Sequence, residues 1–241
     1  MSDKNAVIRD VMATLEREPK IDVHHYPISL DFDSGILTLE GQVKDIAAKK
    51  LALELGAAVA SVTGIVDRLK VAAAEHMTDE VMREHIRDVL LQESALNDCA
   101  VRLCQGDRVD VIREPPADSR GAIEVTVQDG DVLLEGQVPS LSHKRLTGVL
   151  AWWIPGTQNV LNCLIVEPPE EDSDAEIIDA LRLVLEKDPF VNADQIRVRA
   201  NDRTVTLEGL VSNETESEMA EHDAWYLFGV DKVINKLEAR E

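Results

Sequence analysis

Val132-Leu133-Leu134-Glu135-Gly136-Gln137-Val138 has two near-copies in the same chain, Leu37-Thr38-Leu39-Glu40-Gly41-Gln42-Val43 and Val205-Thr206-Leu207-Glu208-Gly209-Leu210-Val211. A second match follows each, at Ile65-Val66-Asp67-Arg68-Leu69, Val160-Leu161-Asn162-Cys163-Leu164 and Val233-Ile234-Asn235-Lys236-Leu237. The interval is the same each time: 28 residues separate Gly41 from Leu69, Gly136 from Leu164 and Gly209 from Leu237. A conserved internal period means repeated structural units. The chain is three copies of one small domain.

Each copy has the same order of elements. Apolar residues at helical spacing predict a first helix over 6–16, 80–91 and 175–185, with Pro19 and Pro189 just beyond two of them. Two alternating strands follow, marked by Ile28, Leu30 and Phe32 before Ser34-Gly35, by Ile123, Val125 and Val127 before Asp129-Gly130, and by Ile196 and Val198 before a turn at Asn201-Asp202. A second helix is predicted over 45–60, 140–153 and 214–227, and then the closing strand. The fold class is α+β: three tandem α-β-β-α-β repeats, each a three-stranded mixed sheet with two helices on one face, so that each strand buries one apolar stripe. The expected domains are 1–75, 76–168 and 169–241.

This order, with the Leu-x-Gly-x-Val motif and the Val-x-Asn-x-Leu ending, resembles the BON domain family of bacteria. Ile154-Pro155-Gly156 and Leu227-Phe228-Gly229 occupy the family's Val-x-Gly position before the last strand. Repeat one departs, with Ser61 there and Asp67 in place of Asn162 and Asn235. The resemblance implies a non-enzymatic binding and assembly module recognising a protein or a phospholipid surface, in envelope or osmotic stress. The cytoplasm is expected instead of the export common among relatives, because MSDKNAVIRDVMATLERE is charged throughout and does not read as a signal peptide.

Composition narrows the partners. The 241 residues carry a net charge of −21, which opposes phosphate backbones and anionic lipid, so nucleic acid is excluded and protein contact or self-association is favoured over a bilayer. Cys99, Cys104 and Cys163 are too few and odd in number for a disulfide framework, which suits a reducing compartment. No apolar run is long enough to span a membrane.

Differences among the repeats locate candidate surfaces. The glycine-to-glycine periods are 95 and 73, so repeat two carries an insertion of about 22 residues, placed at 94–120. Within it Ala100-Val101-Arg102-Leu103 and Val109-Asp110-Val111-Ile112 suggest an added hairpin, and Glu114-Pro115-Pro116-Ala117-Asp118-Ser119 an exposed loop. The insertion is either a contact or a tolerated elaboration. On the strand face away from the helices, repeats one and three are mixed (Val66, Arg68, Lys70; Ile234, Lys236, Glu238), whereas repeat two shows Leu161, Cys163 and Ile165 beside Leu133. That sheet is apolar on both sides and calls for a cover: a flanking repeat, its own insertion or a second copy.

Trp152, Trp153, Trp225 and Tyr226 all fall at the end of the second helix, where repeat one has Ala57 and Ala58. Adjacent tryptophans on a helix cannot both point inward, so this end serves packing between repeats or contact with a partner or lipid headgroups. Gly41, Gly136 and Gly209 are expected to let a helix pack on the second strand, the other reading being a ligand notch. No metal, cofactor or catalytic pattern is found: the six histidines lack His-Glu-x-x-His spacing, Cys99 and Cys104 lack a second cysteine pair, and Cys163 reads as a small buried hydrophobe. The acidic run from Glu167 to Glu176 reads as a solvated linker entering a helix N-terminus. A second function class stays open, a small-ligand or cation sensor with sites at the repeat junctions.

Overall fold

A computed structural model describes residues 4–114 and 121–240. It divides into two compact units, Met1–Ala72 and Ala73–Glu241.

The first unit is repeat one alone. It runs α1 (Lys4–Leu15), β1 (Ile28–Asp33), β2 (Ile36–Val43), α2 (Ile46–Ala57) and β3 (Gly64–Val71). β2 is central, antiparallel to β1 and parallel to β3. The parallel pairing requires a crossover, which α2 supplies. Val7, Val11 and Leu15 of α1 and Ile46, Ala48 and Ala52 of α2 are buried, as are Phe32, Leu37, Leu39, Val43 and Leu69 of the sheet. The Asp45 side chain caps α2 by accepting from Ala48 N.

The second unit joins repeats two and three. Repeat three repeats the plan: α5 (Asp174–Lys187), β10 (Ile196–Asn201), β11 (Thr204–Val211), α6 (Glu214–Tyr226) and β12 (Lys232–Ala239), in the order β10-β11-β12. Repeat two has α3 (Asp79–Gln92), then the inserted hairpin β4 (Cys99–Gln105) and β5 (Arg108–Arg113), then β6 (Gly121–Gln128), β7 (Asp131–Val138) and α4 (Leu141–Trp152). Its closing strand is split into β8 (Asn159–Asn162) and β9 (Ile165–Val166), both parallel to β7. The expected hairpin forms, and it widens the three-strand core edgewise, β4 lying parallel to β6, into a six-stranded sheet of order β5-β4-β6-β7-β8 with β9 on β7. The loop expected at 114–119 lies, beyond Glu114, outside the described residues.

Two sequence expectations change. Two-residue hairpins need left-handed backbone at both turn positions. It occurs at Ser34-Gly35, Asp129-Gly130 and Asp202-Arg203, so the third turn sits one residue later than expected, because Asn201 pairs with Thr204. The motif glycines answer to the neighbouring strand and not to a helix. Gly41, Gly136 and Gly209 all have positive φ, and a Cβ on them would fall on the carbonyl oxygens of Pro27, Ala122 and Gln195. The acidic run is the exposed linker expected, leading into the first turn of α5, and three of its carboxylates are also engaged: Glu170 accepts from Leu141 N, Asp172 from Arg145, and Asp174 from Asp202 N and Arg203 N. Asp79 does for the turn of repeat two what Asp174 does for repeat three, accepting from Asp129 N and Gly130 N.

The departure at Asp67 has a physical account. In repeats two and three the asparagine ties the closing strand to the second helix: Asn162 Nδ2 donates to Lys144 O at 2.8 Å, and Asn235 Nδ2 to Ser217 O and Oγ. In repeat one the tie is ionic. The Lys49 ammonium, 5% exposed, meets Asp67 Oδ2 at 3.0 Å and donates to Leu69 O at 2.6 Å.

Candidate functional site

α4 explains why repeats two and three form one unit. Its buried residues run without a break from Arg145 to Ala151 instead of following one stripe. A helix buried all round must be covered all round. β7 and β8 cover one side, and α5 and α6 of repeat three pack on it as well.

Polar groups fix that junction. Arg145, 0% exposed, donates from Nε to Phe228 O at 2.9 Å and from Nη2 to Asp172 Oδ1 at 2.5 Å. Gly229 lies against it; a Cβ there would stand 3.0 Å from Nη2. Trp153 Nε1 donates to Asp223 Oδ1 at 2.9 Å, and Lys187 Nζ of α5 reaches back to Glu93 Oε1 at 2.8 Å. Burial, reinforced by the neighbouring Asp188 carboxylate and only partly opposed by the Trp153 hydrogen bond, pushes the Asp223 carboxyl up to about 8.

The aromatics divide by role. Trp152 stacks on Tyr226 with ring centroids 5.5 Å apart and planes 14° from parallel, and the Lys144 ammonium sits 4.5 Å over the Phe228 ring. Trp225 is buried in the core of repeat three, its Nε1 donating to Glu221. Trp152, Trp153 and Tyr226 therefore meet at the junction of two repeats, and Trp225 belongs to packing. Gly156 lets α3 approach: a Cβ would stand 2.8 Å from Met77 Cβ and 3.1 Å from Met82 Sδ.

Arg145, Asp172 and Asp223 escaped the sequence reading. One signal was available for Asp223: counted from the motif glycine, it occupies the position of Leu55 and Leu150. A carboxyl where both sister repeats place leucine marks a polar contact.

The second candidate is the open face of the middle sheet. Register lines up Val109, Cys104, Thr126, Leu133 and Leu161 across five strands, on the side away from the helices. Leu161 is 48% exposed and Ile165 65%, and Val109 and Val111 are exposed too. Among the described residues, neither the hairpin nor repeat three covers this face. Cys163 is consequently exposed, contrary to the buried role expected of it. Burial raises the pKa of the Cys99 and Cys104 thiols, so neither is an activated nucleophile.

Among the described residues no group of three metal-capable side chains converges, and no helix is long and apolar enough to cross a membrane. A cavity of about 490 Å³ opens beside Gly209, lined by Arg182, Asp194, Gln195, Arg197 and Glu208. It lies on the β10 edge of repeat three and away from the junction.

The chain is similar to solved structures of CdsD, a structural protein of the type III secretion system of Chlamydia trachomatis. One is 15% identical, covering 98% of this chain and 92% of that one at a TM-score of 0.25. The other, its C-terminal domain, is 14% identical over 100% of both chains, also at 0.25. No curated protein matches. The BON domain family model matches residues 3–73, 110–168 and 173–241, one match in each repeat, the second starting inside the inserted hairpin and leaving out α3. One domain model thus accounts three times over for a chain whose glycine motif, strand order and helix-to-strand tie recur three times, and the protein belongs to the BON domain family.

Proposed function

We propose that this protein is a non-enzymatic assembly component whose three BON domains recognise a protein surface, with the middle sheet as the contact. BON domains are binding modules. The observation that carries the reading is the in-register apolar row ending at Leu161, with Ile165 beside it, left open on a domain whose aromatics are already spent on the junction with repeat three. Exposed apolar surface of this continuity marks an interaction site. Charge selects protein over lipid, since −21 repels an anionic bilayer. The family resemblance suggests envelope or osmotic stress as the setting, and the charged N-terminal stretch suggests the cytoplasm as the place to look.

The test is a pull-down from osmotically stressed cells with the wild-type chain and with Leu161→Lys/Ile165→Lys, run beside co-sedimentation with anionic liposomes at physiological salt. A protein retained by the wild type and lost by the double variant supports the reading. Equal retention by both, or liposome binding that the double variant keeps, overturns it.

A further inference from the structure

The three open faces carry the same motif glutamate in different company. In repeat one, Glu40 is in register with Arg68, whose Nη1 lies 3.4 Å from its Oε2. In repeat three, Glu208 is in register with Lys236 and is flanked by Arg199 at 3.2 Å and Lys236 Nζ at 3.9 Å. Each of these faces neutralises its own carboxylate. In repeat two the position of Arg68 and Lys236 is taken by Cys163.

The consequence is an uncompensated charge. Glu135 stands directly opposite Glu124 across β6 and β7. The nearby cation, Arg102, is committed to Glu124 at 2.7 Å. Glu135 is exposed and makes no ion pair among the described residues. Like charges facing each other across an antiparallel pair are unfavourable. On one side of this carboxylate lie Leu133 and Leu161, and on the other Ile165, which is in register with Gln137.

We infer that the open face of the middle repeat docks a protein segment presenting a lysine or arginine flanked by apolar residues, the cation replacing at Glu135 the one that Cys163 has displaced. A second copy of the chain fits poorly, because a symmetric contact sets the same patch against itself and would bring Glu135 towards Glu135. An anionic membrane meets the same repulsion. A basic partner also gains from the −21 field of the whole chain during approach. The inference rests on the proposed binding role and adds the partner's chemistry.

The test uses the intact chain and short fluorescein-labelled peptides alternating valine with lysine, valine with glutamate, or serine with lysine, read by anisotropy at physiological salt. The valine-lysine peptide is expected to bind most tightly. Glu135→Lys should weaken it by about tenfold or more, whereas Glu171→Lys, an equal change of net charge at another exposed position, should cost less than about threefold. Circular dichroism melts verify that both variants stay folded. Equal losses for the two variants, comparable binding of the valine-glutamate peptide, or no binding of any peptide would overturn the inference. So would a dimer, seen by light scattering, that Leu161→Lys dissolves. The pull-down separates this failure from that of the broader role: an acidic partner lost on Leu161→Lys/Ile165→Lys sinks the basic-segment inference and leaves the binding module standing.

Discussion

The end of α2 in repeat one and the end of α4 in repeat two occupy the same place in the same fold, yet one is Gly56-Ala57-Ala58 and the other Ala151-Trp152-Trp153. The first belongs to a unit made of one repeat. The second lies in a unit made of two, where Trp152 stacks on Tyr226 and Trp153 donates to Asp223. What the repeats share, the motif glycine and the tie from closing strand to second helix, builds the domain. What they do not share builds the assembly. Arg145 stands where repeat one has Lys50, and Asp223 where it has Leu55.

All three tryptophans lie in the two-repeat unit, so their fluorescence reports its unfolding and not that of repeat one. Arg145→Ala should cost the two-repeat unit most. It removes a fully buried guanidinium and leaves the Phe228 carbonyl without its donor, while Asp172, 39% exposed, stays hydrated; losing hydrogen bonds made by a charged group costs about 1.5–3 kcal/mol. Urea titration followed by tryptophan emission should show the midpoint fall accordingly. A shift of a few tenths of a kcal/mol would mean that the aromatics hold the junction without it.

The junction is also the part of the molecule that should sense pH. The Asp223 carboxyl, raised from 3.8 to about 8, keeps its proton in the folded unit over a range where the unfolded chain has released it. Stability gained from that proton is complete below about pH 4, falls as pH rises through the interval, and is gone above about 8, with a slope of at most about 1.4 kcal/mol per pH unit. Asp223→Asn keeps an acceptor for Trp153 and has nothing to titrate. Its tryptophan melting temperature should lose the decline that the wild type shows between pH 5 and 8.5, and rise somewhat over the lower part of that range, where burial holds the His143 pKa down. Parallel curves would remove Asp223 from the account.

Much of this was legible in the sequence, for reasons that differ by element. The 28-residue interval fixed the strand pairings because Gly41, Gly136 and Gly209 must sit where a neighbouring carbonyl leaves no room for a Cβ, and that demand is local. The hairpin in the insertion was readable from period-2 alternation alone. The Arg145 and Asp223 contacts were not, because they join α4 to a linker and a helix 27 and 70 or more residues away, and no periodicity reports such pairs. Cys163 was misread for a related reason. Apolar neighbours suggest burial, and only the sheet's register shows that Cys163 belongs to the face turned away from the helices.

Gly209→Ala and Gly41→Ala sharpen the distinction between domain-building and assembly-building residues. Both force a β-carbon onto a carbonyl oxygen at positive φ, a strain of about 1–3 kcal/mol. Gly209→Ala should lower the tryptophan-detected midpoint, and Gly41→Ala should leave it in place while destabilising repeat one, seen as a separate loss in far-ultraviolet circular dichroism. If Gly41→Ala moved the tryptophan transition as much, the two units would unfold as one and the division drawn between them would fail.

The smallest expected effect belongs to the most conspicuous residue. Trp152 is half-buried, so replacing it with leucine keeps part of its apolar contact and forfeits chiefly the stack on Tyr226, about 0.5–1.5 kcal/mol. Arg145 stays buried, Trp153 still donates to Asp223, and Lys187 still reaches Glu93. Calorimetry should therefore show Trp152→Leu melting only a few degrees lower, and a double variant with Arg145→Ala losing about the sum of the two. A loss well beyond the sum would show that stack and guanidinium act as one element, with the aromatic pair shielding the Arg145–Asp172 contact from water.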